Sequence, residues 1–188
     1  MDIGKRRPLT EIRTKTVCDK AGAVTLRGEL PVCIGKRLPS RYYQRVEQEL
    51  RQRCEALAAP GELLLRTELY APRETLCSVH VEARLRVRGR ILPFFTDGCV
   101  WDLRSGMPLR FRELTGSRFS VRRLWPGLEP RQEPEWLLRS FPGWEDAMKR
   151  ALSRYRFYLE PDALVLYLPA KLQTALPDRY CRLRFSVK

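Results

Sequence analysis

The stretch VHVEARLRVR, Val79 to Arg88, alternates apolar and polar side chains without a break. Period two is the mark of a β-strand with one buried face. Val79, Val81, Ala83, Leu85 and Val87 point to one side; His80, Glu82, Arg84, Arg86 and Arg88 point to the other. The apolar row belongs to a core. The cationic row has three possible destinations: solvent, another part of the chain, or an anionic partner. Like charges opposed across neighbouring strands repel, so these arginines need carboxylates or an anion between them. Glu62, Glu68, Glu74 and Glu82 are the candidate carboxylates.

Outward from this strand the same reading continues. ELLLRTELY (62–70) precedes it, and ILPFFTDGCVWDL (91–103) and MPLRFREL (107–114) follow, each separated by a short turn. Four strands in succession joined this way read as an antiparallel meander. In the last of them Leu109 and Phe111 alternate with Arg110 and Arg112. Upstream, LTEIRTKTVC (9–18) and AVTLRGELPVCI (23–34) form a hairpin with its turn around Asp19 to Gly22. Between hairpin and meander, Tyr43, Val46, Leu50, Cys54 and Leu57 recur at three- and four-residue intervals. That stripe predicts an amphipathic helix over about 40–58, capped by Ser40, supported by Glu47–Arg51 and Glu49–Arg53, and ended by Pro60-Gly61.

Residues 116–154 are dense in proline, tryptophan and charge, which breaks regular structure. A shorter helix is predicted near 143–154. RFYL-EPDA-LVLYLP (156–169) is a hairpin with a Pro-Asp turn, and YCRLRFSVK (180–188) is a terminal strand with Cys181, Leu183, Phe185 and Val187 in apolar phase. The expected fold is α+β: a mainly antiparallel sheet with the 40–58 helix on its apolar face. Two parts are expected, 1–70 as a β-β-α-β unit and 71–188 as an antiparallel unit, packed as one body.

The chain has 188 residues, and 36 basic against 22 acidic side chains give a net charge of +14. Such an excess raises the encounter rate with polyanions and anionic surfaces. No run of 18 apolar residues is present, and no apolar segment follows the basic N-terminus, so neither a membrane span nor a secretory signal is expected. The sequence as written reads as cytoplasmic. Cysteines 18, 33, 54, 77, 99 and 181 include no CxxC pair, and His80 is the sole histidine. No zinc spacing can be assembled, no cofactor is expected, and the thiols are expected to be reduced and buried.

Several stretches together resemble a known family. VWDLRSGMPLRFREL (100–114) looks like its strand–turn–strand signature. RFYLEPDALVLYLPAKL (156–172) looks like its C-terminal hairpin, and LRGELPVCIGK (26–36) with RYYQRVEQEL (41–50) is similar to the N-terminal half fused to it. The family is the extracytoplasmic domain of RsiV-type bacterial anti-sigma factors, the domain shared with PdaC-type deacetylases. The resemblance covers nearly the whole chain. It implies an α+β binding domain without catalytic residues, which in the anti-sigma members recognises lysozyme outside the cell. Those members carry a sigma-binding segment and a membrane span ahead of the domain; both are missing from this sequence, and anti-sigma activity is not implied.

No catalytic constellation is visible. A triad needs its histidine, and His80 stands mid-strand beside Ser78 and Glu82. Asp97, Asp102 and Asp162 could in principle supply carboxylates for a hydrolase, but Asp102 and Asp162 stand at or beside turns, where Asp accepts local backbone hydrogen bonds. The expected function is binding of a protein or cell-envelope ligand, with non-specific binding of nucleic acid or a cell-wall polymer as the alternative. The candidate contact residues are Arg84, Arg86, Arg88, Arg110, Arg112, Arg182 and Arg184, taken as one cationic sheet face. Arginine suits phosphate because its planar fork donates paired hydrogen bonds. Phe111 and Phe185 fall in the opposite, apolar phase, so the face offers no stacking platform for bases. Sequence-specific reading of nucleic acid is therefore not expected.

Overall fold

A computed structural model describes residues 9–115, 157–167 and 182–186. Along the chain these form β1 (Glu11–Ala21), β2 (Val24–Ile34), α1 (Arg37–Glu55), β3 (Gly61–Arg73), β4 (Leu76–Val87), β5 (Arg90–Asp102), β6 (Met107–Pro108), α2 (Phe111–Thr115), β7 (Phe157–Leu159), β8 (Ala163–Tyr167) and β9 (Arg182–Ser186). Strands β1 to β6 lie in sequence order in one sheet, and β7-β8-β9 make a second. The α+β expectation holds. The helix expected near 143–154 lies outside the described residues.

Two compact units result: Met1–Thr96 with Trp101–Met107, and Asp97–Val100 with Pro108–Lys188. Residues 70 and 71 both lie in β3, and β5 contributes residues to both units.

In the first unit, β1 and β2 form the expected hairpin, paired from Glu11–Ile34 to Ala21–Val24. Its turn is two residues tight, with Gly22 at φ 59° in the first turn position, where primed hairpin turns require a positive φ. Next comes a departure. β2 and β3 are parallel, Val24 opposite Gly61 through Gly28 opposite Leu65, with α1 as the crossover. The sheet is therefore mixed: a helix between two strands returns the chain to the end it came from.

Helix α1 buries Pro39, Tyr43, Val46, Leu50 and Cys54 and packs on β1 and β2. The apolar stripe was legible; its start was not. The helix begins at Arg37 rather than at Ser40, because Pro39 in the first turn lacks only an N–H that would have no intrahelical partner. Ser40 lies inside the helix, its hydroxyl donating to the Lys36 and Cys33 carbonyls at 3.4 Å. Leu50 is fully buried at the centre of the stripe, where truncation to alanine costs about 3–5 kcal/mol. Ion pairs tie the helix to β1: Lys15 Nζ to Glu47 at 2.7 Å, and Arg51 to Asp19 at 2.8 Å.

The second unit has β8 buried from Ala163 to Tyr167, with antiparallel β7 and β9 on either side. Phe185 and Phe111 are both buried, and Phe111 sets its edge on Phe157 with centroids 5.4 Å apart. The strand expected over 107–114 does not form beyond Pro108. Glu113 reaches back to accept the Arg110 backbone N–H at 2.6 Å, and the Glu113 N–H donates to the Arg110 carbonyl at 2.9 Å. This reciprocal capping starts α2 at Phe111. Four alternating residues are too few to separate a strand from one helical turn.

Candidate functional site

The outer face of β3 and β4 is set by their antiparallel register: Glu62 faces Arg86, Arg66 faces Glu82, and Glu68 faces His80. These three opposed pairs each join an acid to a base, the arrangement that stabilises a two-stranded face, while Leu64 faces Arg84 and Tyr70 faces Ser78. Side chains complete it. Arg86 donates to Glu62 at 2.8 Å, Arg84 to Glu82 at 3.0 Å, and Arg66 pairs with Glu68 at 2.7 Å. From β2, Arg27 adds a second guanidinium to Glu62 at 3.4 Å. Three of the four expected carboxylates, Glu62, Glu68 and Glu82, thus compensate the arginines; Glu74 is exposed in the β3–β4 turn.

The layering is asymmetric. The carboxylates are only 23–25% exposed, whereas Arg27, Arg66, Arg84 and Arg86 are 47–73% exposed. The glutamates form an inner layer and the guanidiniums stand above it, so the outer surface presents hydrogen-bond donors.

At its buried end the face changes character. Leu76 to Val81 are buried on both sides of β4, His80 and Ser78 included, so solvent reaches the polar row only from Glu82 onward. His80 Nδ1 lies 3.1 Å from Glu68 Oε2, which also accepts the Tyr70 hydroxyl at 2.9 Å. An ionised carboxylate only accepts, so Nδ1 carries the proton. Burial pushes the Glu68 carboxyl up, but the hydrogen bonds of His80 and Tyr70 with the charges of Arg66 and His80 outweigh it and hold the group below its usual range. Arg27, Arg66 and Tyr70 were not picked out from sequence. For Arg66 and Tyr70 the signal was present in ELLLRTELY, where Glu62, Arg66, Glu68 and Tyr70 share one strand phase.

The seven expected contact arginines do not all stand on strands of one sheet. Arg84 and Arg86 share the outer side of β4. Arg88 leaves the strand: it occupies the β4–β5 turn at φ 48°, followed by Gly89 at φ 76°, a two-residue turn with both residues left-handed. Arg110 precedes α2, and Arg112 is exposed within it. Arg182 and Arg184 belong to β9, in the other sheet. Arg184 is committed internally, to Glu160 at 2.7 Å and Asp162 at 2.9 Å.

Two of the three carboxylates weighed for hydrolysis are likewise employed in structure. Asp162 holds Arg184. Asp102 accepts from the Arg104 N–H at 2.9 Å and the Ser105 hydroxyl at 2.8 Å. Burial raises its carboxyl, but these bonds and the Arg104 charge outweigh it and hold the group below its usual range. Among the described residues no group of three or more His, Cys, Asp or Glu side chains is placed to hold a metal ion. The described cysteines are free; Cys54, Cys77 and Cys99 are buried as expected, but Cys18 is exposed and Cys33 partly so. Burial, with the neighbouring Cys33, pushes the Cys77 thiol up to about 11. No described helix is long and apolar enough to cross a membrane.

No protein-family profile matches the sequence, and no curated protein does. Solved structures do. A member of the DUF3298 family from Bacteroides fragilis matches over 97% of this chain and 92% of its own, with a TM-score of 0.50 at 12% identity. The fold is the DUF3298 fold. The expected likeness to the domain shared by RsiV-type and PdaC-type proteins is met at the level of architecture. A DUF3298 family protein from Pseudomonas aeruginosa is similar over 95% of this chain and 88% of its own, at 13% identity and a TM-score of 0.44.

Proposed function

We propose that this chain is a non-enzymatic binding domain that engages a protein or cell-envelope ligand through the outer face of β2, β3 and β4. One observation carries the reading: Arg27, Arg66, Arg84 and Arg86 stand over glutamates that hold them in place. A guanidinium already fixed by a carboxylate loses less freedom on binding than a free one, and it keeps unused donors for a second acceptor. The ligand such a face fits has acceptor groups, carboxylates or carbonyls, at its surface. The commitment of His80 to Glu68 on a buried strand face supports a structural role for that pair. Biolayer interferometry of the whole chain against lysozyme and against poly-glutamate tests the face. Binding to either probe that Arg66→Ala with Arg84→Ala weakens at least tenfold supports it; binding unchanged by that pair rules the face out.

A second reading, non-specific polyanion binding, is favoured by the net charge of +14. Its signature is affinity that falls steeply with salt and ignores base sequence.

A further inference from the structure

The arginines on the outer face of β2, β3 and β4 are compensated; among the described residues, those of the first half of α1 meet no carboxylate. Arg37, Arg41 and Arg45 follow one another at intervals of four residues, each exposed on the helix. Four residues advance about 6 Å along the axis and about 40° around it, so the three form a row nearly parallel to the helix. The row lies opposite the buried stripe of Tyr43, Val46 and Leu50. Gln44, Gln48 and Gln52, also exposed, run alongside it. No acidic residue occurs between Glu29 and Glu47. Arg37 and Arg41 make no ion pair among the described residues, and the contact recorded for Arg45 is with the Tyr42 ring, 5.9 Å from its centroid.

The contrast with the second half of the same helix is informative. There Arg51 pairs with Glu47 and Asp19, and Arg53 pairs with Glu49. Stability alone favours acids, not arginines, at a helix N-terminus, because the macrodipole is positive there. The first turn of α1 contains no acid, and its N-cap, Lys36, makes no side-chain cap. Three stacked cations at this end destabilise the free helix, and a line of anions laid against them would reverse that. Successive phosphates of a nucleic acid strand are such a line, and neighbouring glutamine amides add donors to phosphate oxygens.

We propose that the outer face of the first half of α1 docks the sugar–phosphate backbone of nucleic acid, gripped by Arg37, Arg41 and Arg45 without base readout. The proposal rests on the polyanion reading above and assigns it a site away from the sheet face.

The test is fluorescence anisotropy of the whole chain with labelled duplex DNA of two unrelated sequences across a salt series. The triple variant Arg37→Gln, Arg41→Gln, Arg45→Gln is compared with Arg84→Gln, Arg86→Gln. Losing three phosphate contacts lowers the slope of log affinity against log salt by about 2.7. Between about 50 and 200 mM salt the triple variant therefore loses roughly fortyfold less affinity than the wild type. Both sequences weaken alike, and the sheet variant keeps the wild-type slope. Thermal unfolding of the triple variant, read by circular dichroism, is unchanged or higher because cations leave the positive end of the dipole. A wild type without DNA binding overturns both the proposal and the polyanion reading. Salt-dependent binding that the triple variant leaves intact, or that the sheet variant reduces equally, overturns the α1 site and spares that reading. Tighter binding of poly(glycerol phosphate) than of DNA overturns the assignment to nucleic acid.

Discussion

Replacing Gly28 with alanine tests the parallel crossover, the part of the fold least expected from the sequence. Gly28 sits at φ 133°, where it pairs with Val17 on one side and, as the last parallel rung, with Leu65 on the other. A Cβ there would lie 1.8 Å from the Leu65 carbonyl oxygen and 2.9 Å from its nitrogen. An ordinary carbon–oxygen contact is about 3.3 Å, so β3 would have to retreat by about 1.5 Å. Backbone cannot swing aside as a side chain can. The strained φ costs about 1–3 kcal/mol for a residue with a Cβ. Each disrupted strand hydrogen bond adds about 1 kcal/mol, and the Thr67 hydroxyl bond to the Glu29 carbonyl, 2.9 Å, lies next to the collision. The expected loss is about 3–5 kcal/mol, a large part of a typical domain's stability. Gly89→Ala is the control: its φ of 76° is also positive, but an added Cβ meets nothing within 4 Å. That change should cost only about 1–2 kcal/mol. Urea unfolding followed at the helical band is weighted towards α1, the longest described helix, which belongs to the first unit. A midpoint lowered by at least about 1 M more for Gly28→Ala than for Gly89→Ala is expected. Equal midpoints would refute the close approach of β2 and β3.

In the second unit, Gly98→Ala places a Cβ 2.6 Å from the Tyr167 ring and 3.0 Å from Tyr158; it should destabilise by about 1–3 kcal/mol, and an unchanged thermal midpoint would disprove the packing. Because the folded Glu68 carboxyl is held below its ordinary range, its contribution is present above the unfolded value and is lost as pH falls through the lowered folded one. Glu68→Gln should therefore cost about 1 kcal/mol at neutral pH after allowance for solvent screening, and should flatten the acid limb of the stability profile; equal acid limbs for variant and wild type would contradict this. Thiol titration of the native chain should lose one fast equivalent in Cys18→Ser, which is exposed, and none in Cys77→Ser, whose thiol burial keeps protonated. A fast equivalent lost with Cys77 would place that thiol at the surface.

What the sequence disclosed follows from which signals are local. The period of β4 and the stripe of α1 depend on neighbours two to four residues away, and both were legible in VHVEARLRVR and in the Tyr43–Val46–Leu50–Cys54 spacing. The β7–β8 hairpin and the apolar phase of Phe185 were legible for the same reason. Strand direction is not a local property. The β2–α1–β3 crossover is fixed by where the chain returns, and Gly28, its most telling residue, reads in sequence as an ordinary glycine within a strand. The short α2 was missed because Glu113 capping Arg110 outweighs four residues of alternation. The buried end of β4 was missed because Ser78 and His80 are polar, and what covers a face cannot be read from the strand that bears it.

The candidate site carries a related lesson about charge. In a strand, the partner of an arginine lies across the ladder and far away in sequence: Glu62 and Arg86 are 24 residues apart, yet directly opposed. A row of arginines in an alternating strand therefore says little about free positive charge until the register is known. In a helix one kind of partner sits three or four residues away, and the absence of that kind can be read directly. RLPSRYYQR contains no acid from Arg37 to Arg45, whereas the next two turns supply one for each arginine. The net charge of +14 counts both populations alike. The structure separates them: guanidiniums held by glutamates on the sheet, and guanidiniums of the first half of α1 that meet no carboxylate among the described residues, where the proposed polyanion contact has the least internal competition.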